Sequence, residues 1–74
     1  MLNINAIEPV YLQLYNKLRD EIENGKIQQG EMMPSERRLA VEFGISRMTA
    51  RVALRRLHDQ GYIVIEPKIG ALVL

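Results

Sequence analysis

Pro34-Ser35-Glu36-Arg37-Arg38-Leu39-Ala40, followed by Phe43-Gly44-Ile45-Ser46-Arg47-Met48-Thr49-Ala50-Arg51-Val52-Ala53-Leu54, is the stretch whose reading decides the fold. Two short helices are predicted from it. Each is opened by a serine, Ser35 or Ser46, whose hydroxyl can accept from the free N–H groups of a first turn. Gly44 between them supplies the left-handed stop that ends the first helix, so the pattern is a helix-turn-helix. Leu39, Ala40 and Phe43 form the apolar stripe of the first helix. Ala50, Ala53, Leu54 and Leu57 follow i, i+3, i+4, i+7 and define the core face of the second.

The arginines of that second helix lie elsewhere. Arg47, Arg51 and Arg55 fall on one i, i+4, i+8 ridge beside the core stripe, with Met48 and Val52 farther round. From Ser35 to Arg56 six arginines stand against Glu36 and Glu42, a net +4, whereas from Glu8 to Glu31 three bases face five acids, a net −2. The total of +1 therefore conceals a basic face and an acidic back. Taken alone, such a charge run also fits an ordinary solvated helix surface.

Upstream, Pro9 suits the first turn of a helix, and Tyr11, Leu14, Leu18 and Ile22 recur at helical spacing, which predicts a helix from about Pro9 to Asn24 with Gly25 as its left-handed cap. Asp20, Glu21 and Glu23 sit at the end where the macrodipole prefers cations, so packing must hold this helix. A short strand from Glu31 to Met33 precedes Pro34, which favours an extended Met33. Downstream, Gly61 ends the last helix. Tyr62 to Glu66 and Ala71 to Leu74 are β-rich runs separated by Pro67-Lys68-Ile69-Gly70, a hairpin with a short tip. The class expected is α+β, mostly α: a winged helix-turn-helix of three helices and a small antiparallel hairpin wing.

A chain of 74 residues makes one domain. It has no cysteine, hence no disulfide framework or thiolate metal site. Its first residues lack a basic start and a long apolar stretch, and no apolar run approaches the ~18 residues of a membrane span. A cytoplasmic protein with no membrane partner is expected. Catalysis finds little support, because His58 is the only histidine, no Gly-rich loop cradles phosphate, and Glu36 and Glu42 do not share a helix face. No cofactor or metal is called for.

The positive chemistry is that of double-stranded DNA. An α-helix fits the major groove, where Arg bridges guanine O6 and N7. Arg47 and Arg51, near the N-terminus of the last helix, are the candidates for base edges. Arg37 is the candidate backbone clamp, and Ser46 and Thr49 can donate to phosphates. For Ser35 and Ser46 capping is the main task. For the arginines the alternative is solvated surface or an ion pair.

From Pro9 to Val73 the chain resembles the N-terminal DNA-binding domain of the GntR family of bacterial transcription regulators. The resemblance rests on Pro9-Val10-Tyr11 with Leu14, Leu18, Ile22 and Gly25, on Pro34-Ser35-Glu36-Arg37 with Leu39-Ala40, and on Ser46-Arg47-Met48-Thr49 with Arg51, Ala53-Leu54 and Leu57. It implies operator contacts from Arg37, Arg47 and Arg51, phosphate approach by Ser46 and Thr49, and minor-groove entry by a wing glycine at Gly70. The candidate DNA-binding set is therefore Ser35, Arg37, Ser46, Arg47, Met48, Thr49, Arg51, Lys68 and Gly70. The third block is most similar to the histidine-utilisation-repressor branch, whose members bind a small metabolite through a C-terminal domain absent from residues 1–74. The full-length protein is expected to be a homodimer on two-fold operator DNA. The wing departs from the family, with only Lys68 and Gly70 preserving its chemistry and Glu66 repelling phosphate. The competing expectation is a protein-interaction winged helix whose apolar hairpin, with Ile69, Leu72, Val73 and Leu74, docks a partner.

Overall fold

Ser35 and Ser46 each open a helix. In the computed structural model, which describes residues 2–74, Ser35 Oγ accepts from the Arg38 N–H at 3.0 Å and Ser46 Oγ accepts from the Thr49 N–H at 3.0 Å. Both serines have extended backbones, as N-caps do. They start α2 (Glu36–Phe43) and α3 (Arg47–Asp59). Between them Gly44 takes φ 65° and ψ 39°, a left-handed conformation that a side chain would disfavour, and its N–H donates to Ala40 O.

The first helix, α1, runs Val10–Glu23, one residue shorter at each end than the spacing predicts. Pro9 is the N-cap, not the first helical residue. Its ψ of 148° is extended, and its carbonyl accepts from the Leu12 and Gln13 N–H groups at 3.0 and 3.1 Å. At the other end Asn24 is the C-cap and Gly25 the left-handed residue after it. The unfavourable acids of the last turns find partners. Lys17 Nζ lies 3.4 Å from Glu21, Arg19 lies 3.2 Å from Asp20, and the Tyr62 hydroxyl donates to Glu23 at 2.9 Å.

After α3 the chain forms β1 (Ile63–Glu66) and β2 (Gly70–Val73), paired antiparallel in the register Ile63 with Val73 through Glu66 with Gly70. Residues 31–33, expected as a short strand, run along the other side of β2 with a single bridge, Met32 to Leu72. The two bonds that form it run from Met33 N–H to Ala71 O at 2.7 Å and from Val73 N–H to Glu31 O at 2.9 Å. This extended segment covers an edge that β2 would otherwise expose.

The core is built around α3, which packs against α1, α2 and β1. Leu14 and Leu18 enter it from α1, Leu39 from α2, Ala50, Ala53, Leu54 and Leu57 from α3, and Ile63, Ala71 and Val73 from the hairpin. All four stripe positions expected on α3 are buried, and the alanines among them leave room for close helix approach. Ala40 and Phe43 are only half-buried, so Leu39 carries the α2 contribution. Tyr15 is also buried, one residue off the predicted α1 stripe, with the Arg19 and Arg56 guanidinium groups 5.6 and 5.3 Å from its ring centre. Three helices with a two-stranded hairpin make a winged helix-turn-helix. Among the described residues no helix is long and apolar enough to cross a membrane.

Candidate nucleic-acid interface

Because the core claims one side of α3, the other side is open, and Arg47, Met48, Arg51, Val52 and Arg55 stand exposed on it. The turn at Gly44 sets α2 across the start of α3, and this brings Glu36 to the arginine ridge. Glu36 Oε2 accepts from Arg51 Nε at 3.0 Å and Glu36 Oε1 from Arg51 Nη2 at 3.1 Å, a two-pronged pair. Arg47 Nη2 lies 3.9 Å from the same carboxylate. The hydrogen bonds from Arg51 to Glu36, and the attraction between the charges, raise the Arg51 pKa above its ordinary range, so the guanidinium is held firmly charged.

Glu36 therefore does two things. In the first turn of α2 it sits where the helix N-terminus favours an anion. It also fixes the direction of the Arg51 fork, which would otherwise sample many rotamers. Only the first of these roles follows from spacing along the chain. The second joins residues fifteen apart, and no local periodicity signals it.

Ser46 and Thr49 meet at the N-terminus of α3. Their hydroxyls lie 2.8 Å apart, so one proton is used between them while the other hydroxyl proton is free to point outward. Ser46 Oγ also accepts the Thr49 N–H, so its capping role is in place. Ser35 caps α2 in the same way through the Arg38 N–H. Arg37 is exposed at the start of α2.

An open groove between the start of α2 and the hairpin has Glu36, Arg37, Arg47, Ile69 and Gly70 in its lining, with Glu21, Glu31 and Glu42 among the remainder. It brings the helix N-termini and the wing tip to one side of the molecule. Lys68 is exposed at the tip and outside that lining, in a turn closed by the Ile69 N–H donating to Glu66 O at 3.1 Å. Its φ of 72° makes it the one non-glycine with positive φ among the described residues. The third position of such a turn normally takes glycine, so the backbone holds a lysine there under strain.

The other basic residues divide. Arg56 faces Tyr15 and α1, away from the ridge, whereas Arg55 continues the ridge outward. His58 is exposed near the end of α3, 3.3 Å from Asp59. On the hairpin, Val73 belongs to the core and Leu72 is half-buried, which leaves Ile69 and Leu74 as exposed members of the apolar set expected to dock a partner. Beside them Met32 and Ile65 are also exposed.

Residues 10–73 match the family described as bacterial regulatory proteins, gntR family. Among relatives, the chain is 44% identical over 64 residues to the HTH-type transcriptional repressor NagR of Bacillus subtilis (strain 168), covering 84% of this chain and 26% of NagR. It is 35% identical over 69 residues to the histidine utilization repressor of Klebsiella aerogenes, covering 93% of this chain and 29% of that protein. The chain thus spans little more than a quarter of the length of these two relatives. Among solved structures, the DNA-binding domain of AraR in complex with operator ORR3 superposes with a TM-score of 0.86 at 29% identity, over 100% of this chain and 95% of that one.

Proposed function

Because the chain belongs to the gntR family of bacterial regulatory proteins, we propose that it is the sequence-specific, double-stranded DNA-binding module of a metabolite-responsive transcriptional repressor. The observation that carries this reading is the exposed arginine ridge of α3, set beside a wing on one side of the fold. The likeness to an operator-bound domain, over 100% of this chain and 95% of that one, supports it.

In this reading α3 enters the major groove by its N-terminal half. Arg47 and Arg51 address base edges, and Glu36 orients the Arg51 fork toward them. Arg37 clamps the backbone, while Ser35, Ser46 and Thr49 border the phosphates at the two helix N-termini, where anions are favoured. Lys68 and Gly70 bring the wing to the adjacent minor groove. Met48 completes the outward face of α3.

The module acts in pairs on a two-fold operator, joined by a further domain that also binds a small-molecule effector and belongs to the longer chains of the family. A single copy is then expected to bind a half-site weakly, and linkage of two copies restores affinity. The protein works in the cytoplasm, where that DNA lies.

The reading is tested by selecting ligands for the purified domain from a randomised duplex pool and titrating the enriched site against scrambled DNA over a salt series. Enrichment of a motif, with log affinity falling linearly as log salt rises, is the expected result. Binding that ignores sequence and salt would overturn it and return attention to the apolar hairpin, whose strand pairing responds little to salt.

A further inference from the structure

Two apolar side chains of α3 lie outside the core, and both stand on the face that the arginines share. Met48 is 60% exposed and Val52 is 40% exposed. At 100° per residue the buried Ala50, Ala53, Leu54 and Leu57 centre on one direction, and Met48 points about 10° from directly opposite it. Val52 and Arg55 lie about 40° and 20° from Met48 on either side, while Arg47 and Arg51 lie toward α2. The deepest-reaching position of the helix is thus occupied by a thioether, with a branched hydrocarbon beside it.

We propose that Met48 and Val52 read thymine C5-methyl groups in the major groove and so set part of the sequence preference. The inference rests on the DNA-binding reading above. The major groove edge of an unmodified base pair presents one apolar group, the thymine methyl, among hydrogen-bond donors and acceptors. An exposed apolar pair at the crest of a groove-entering helix therefore has a single chemical counterpart there. Its neighbours argue against a protein occupant, because covering Met48 and Val52 with an apolar surface would also cover Arg47, Arg51 and Arg55, which DNA instead supplies with acceptors.

Spacing narrows the counterpart further. Residues 48 and 52 are four apart, hence on one face and roughly 6 Å apart along the axis, so the methyl groups they meet belong to one half-site and lie within a few base pairs of each other. The side chains differ in kind. Met48 is unbranched and adapts to irregular gaps, whereas Val52 is stiff about χ1 and demands a matching position.

The test replaces each thymine of the selected operator, one at a time, by deoxyuridine, which deletes the methyl and preserves base pairing. At one or two positions in each half-site the parent domain is expected to lose about threefold to fourfold in affinity, the effect of one buried methyl group. In Met48→Gln and Val52→Ala the same replacements are expected to have no further effect at the matched position, while Met48→Leu keeps the dependence. Thermal unfolding of these exposed-site variants reports that the fold persists. Parent binding that is strong on the thymine site and indifferent to every uridine would overturn the inference while leaving the DNA-binding reading intact. Methyl dependence undiminished in both Met48→Gln and Val52→Ala would overturn it equally. Absence of any affinity for duplex DNA by the parent would overturn both.

Discussion

The carboxylate of Glu36, at the start of α2, grips the Arg51 guanidinium of α3 through bonds of 3.0 and 3.1 Å and lies 3.9 Å from Arg47. An acid thus sits against the two arginines assigned to base edges. It holds Arg51 by hydrogen bonds and Arg47 by charge alone, and under the proposed assignment of both to base edges it also repels phosphate and so favours base contacts over indiscriminate backbone binding.

Replacing this acid separates the two effects. Glu36→Gln is expected to raise affinity for scrambled DNA and to lower the ratio of operator to scrambled binding. The salt slope steepens by up to about one for each arginine released to a phosphate. Stability should change by no more than about 1 kcal/mol, because Arg51 is half-exposed and Glu36 partly exposed, which leaves the pair screened by solvent. Salt titrations of parent and variant on both duplexes check this. An unchanged ratio would mean the pair has no part in selection.

Loss of the arginines themselves should distinguish reading from clamping. Arg47→Ala and Arg51→Ala are each expected to cost on the order of 1–3 kcal/mol on the operator and to blur preference at one position. Arg51→Lys should not rescue, since a lysine cannot reproduce the two-pronged geometry. Arg37→Ala should instead weaken all sequences alike and reduce the salt slope by about one. Selection experiments repeated on each variant decide between these patterns.

The caps have a consequence for stability. Ser46→Ala and Ser35→Ala each strand a helix N–H that the serine oxygen now accepts, and each is expected to destabilise by about 1 kcal/mol. Ser46→Gly should cost only a few tenths of a kcal/mol. Denaturant unfolding measures the difference. Equal stability of the alanine variants and the parent would contradict the capping geometry.

Lys68 carries a separable prediction. Its φ of 72° is strained, so Lys68→Gly should leave the melting temperature unchanged or raise it, with relief of strain offset in part by a looser unfolded chain. Affinity for DNA should fall, and the salt slope with it by about one, if the lysine meets a phosphate. Unaltered affinity would remove Lys68 from the interface.

Tyr62 gives a pH dependence. Its hydroxyl donates to Glu23, and this bond, reinforced by desolvation, raises the phenol pKa above its ordinary 10.0. The folded chain therefore keeps a proton that the unfolded chain releases near pH 10. The associated stability is complete below that pH and is lost as pH rises through the higher folded value. Tyr62→Phe should remove this portion of the alkaline decline, which unfolding curves between pH 8 and pH 11 would reveal.

The helices and their order were legible because their signals are local. Ser35 and Ser46 act on N–H groups three residues away, Gly44 stops a helix by its own φ, and the four apolar positions of α3 repeat with the helical period. The exposed arginines followed from the same period, since a stripe that is buried leaves the opposite side free. Residues 31–33 were less legible, because whether an extended segment pairs depends on the neighbour that reaches it, here β2.

The sequence by itself thus determined the element types, the buried face of α3 and the basic face beside it, all properties of residues within a turn or two of one another. Tertiary structure alone decided that Glu36 tethers Arg51, that Tyr15 lies under Arg19 and Arg56, and that Tyr62 donates to Glu23. Each of these places, against one side chain, a partner fifteen or more residues away in the chain, apart from the Arg19 neighbour within α1. Such pairings depend on how whole helices and strands pack, and packing is settled by the shape of the shared core.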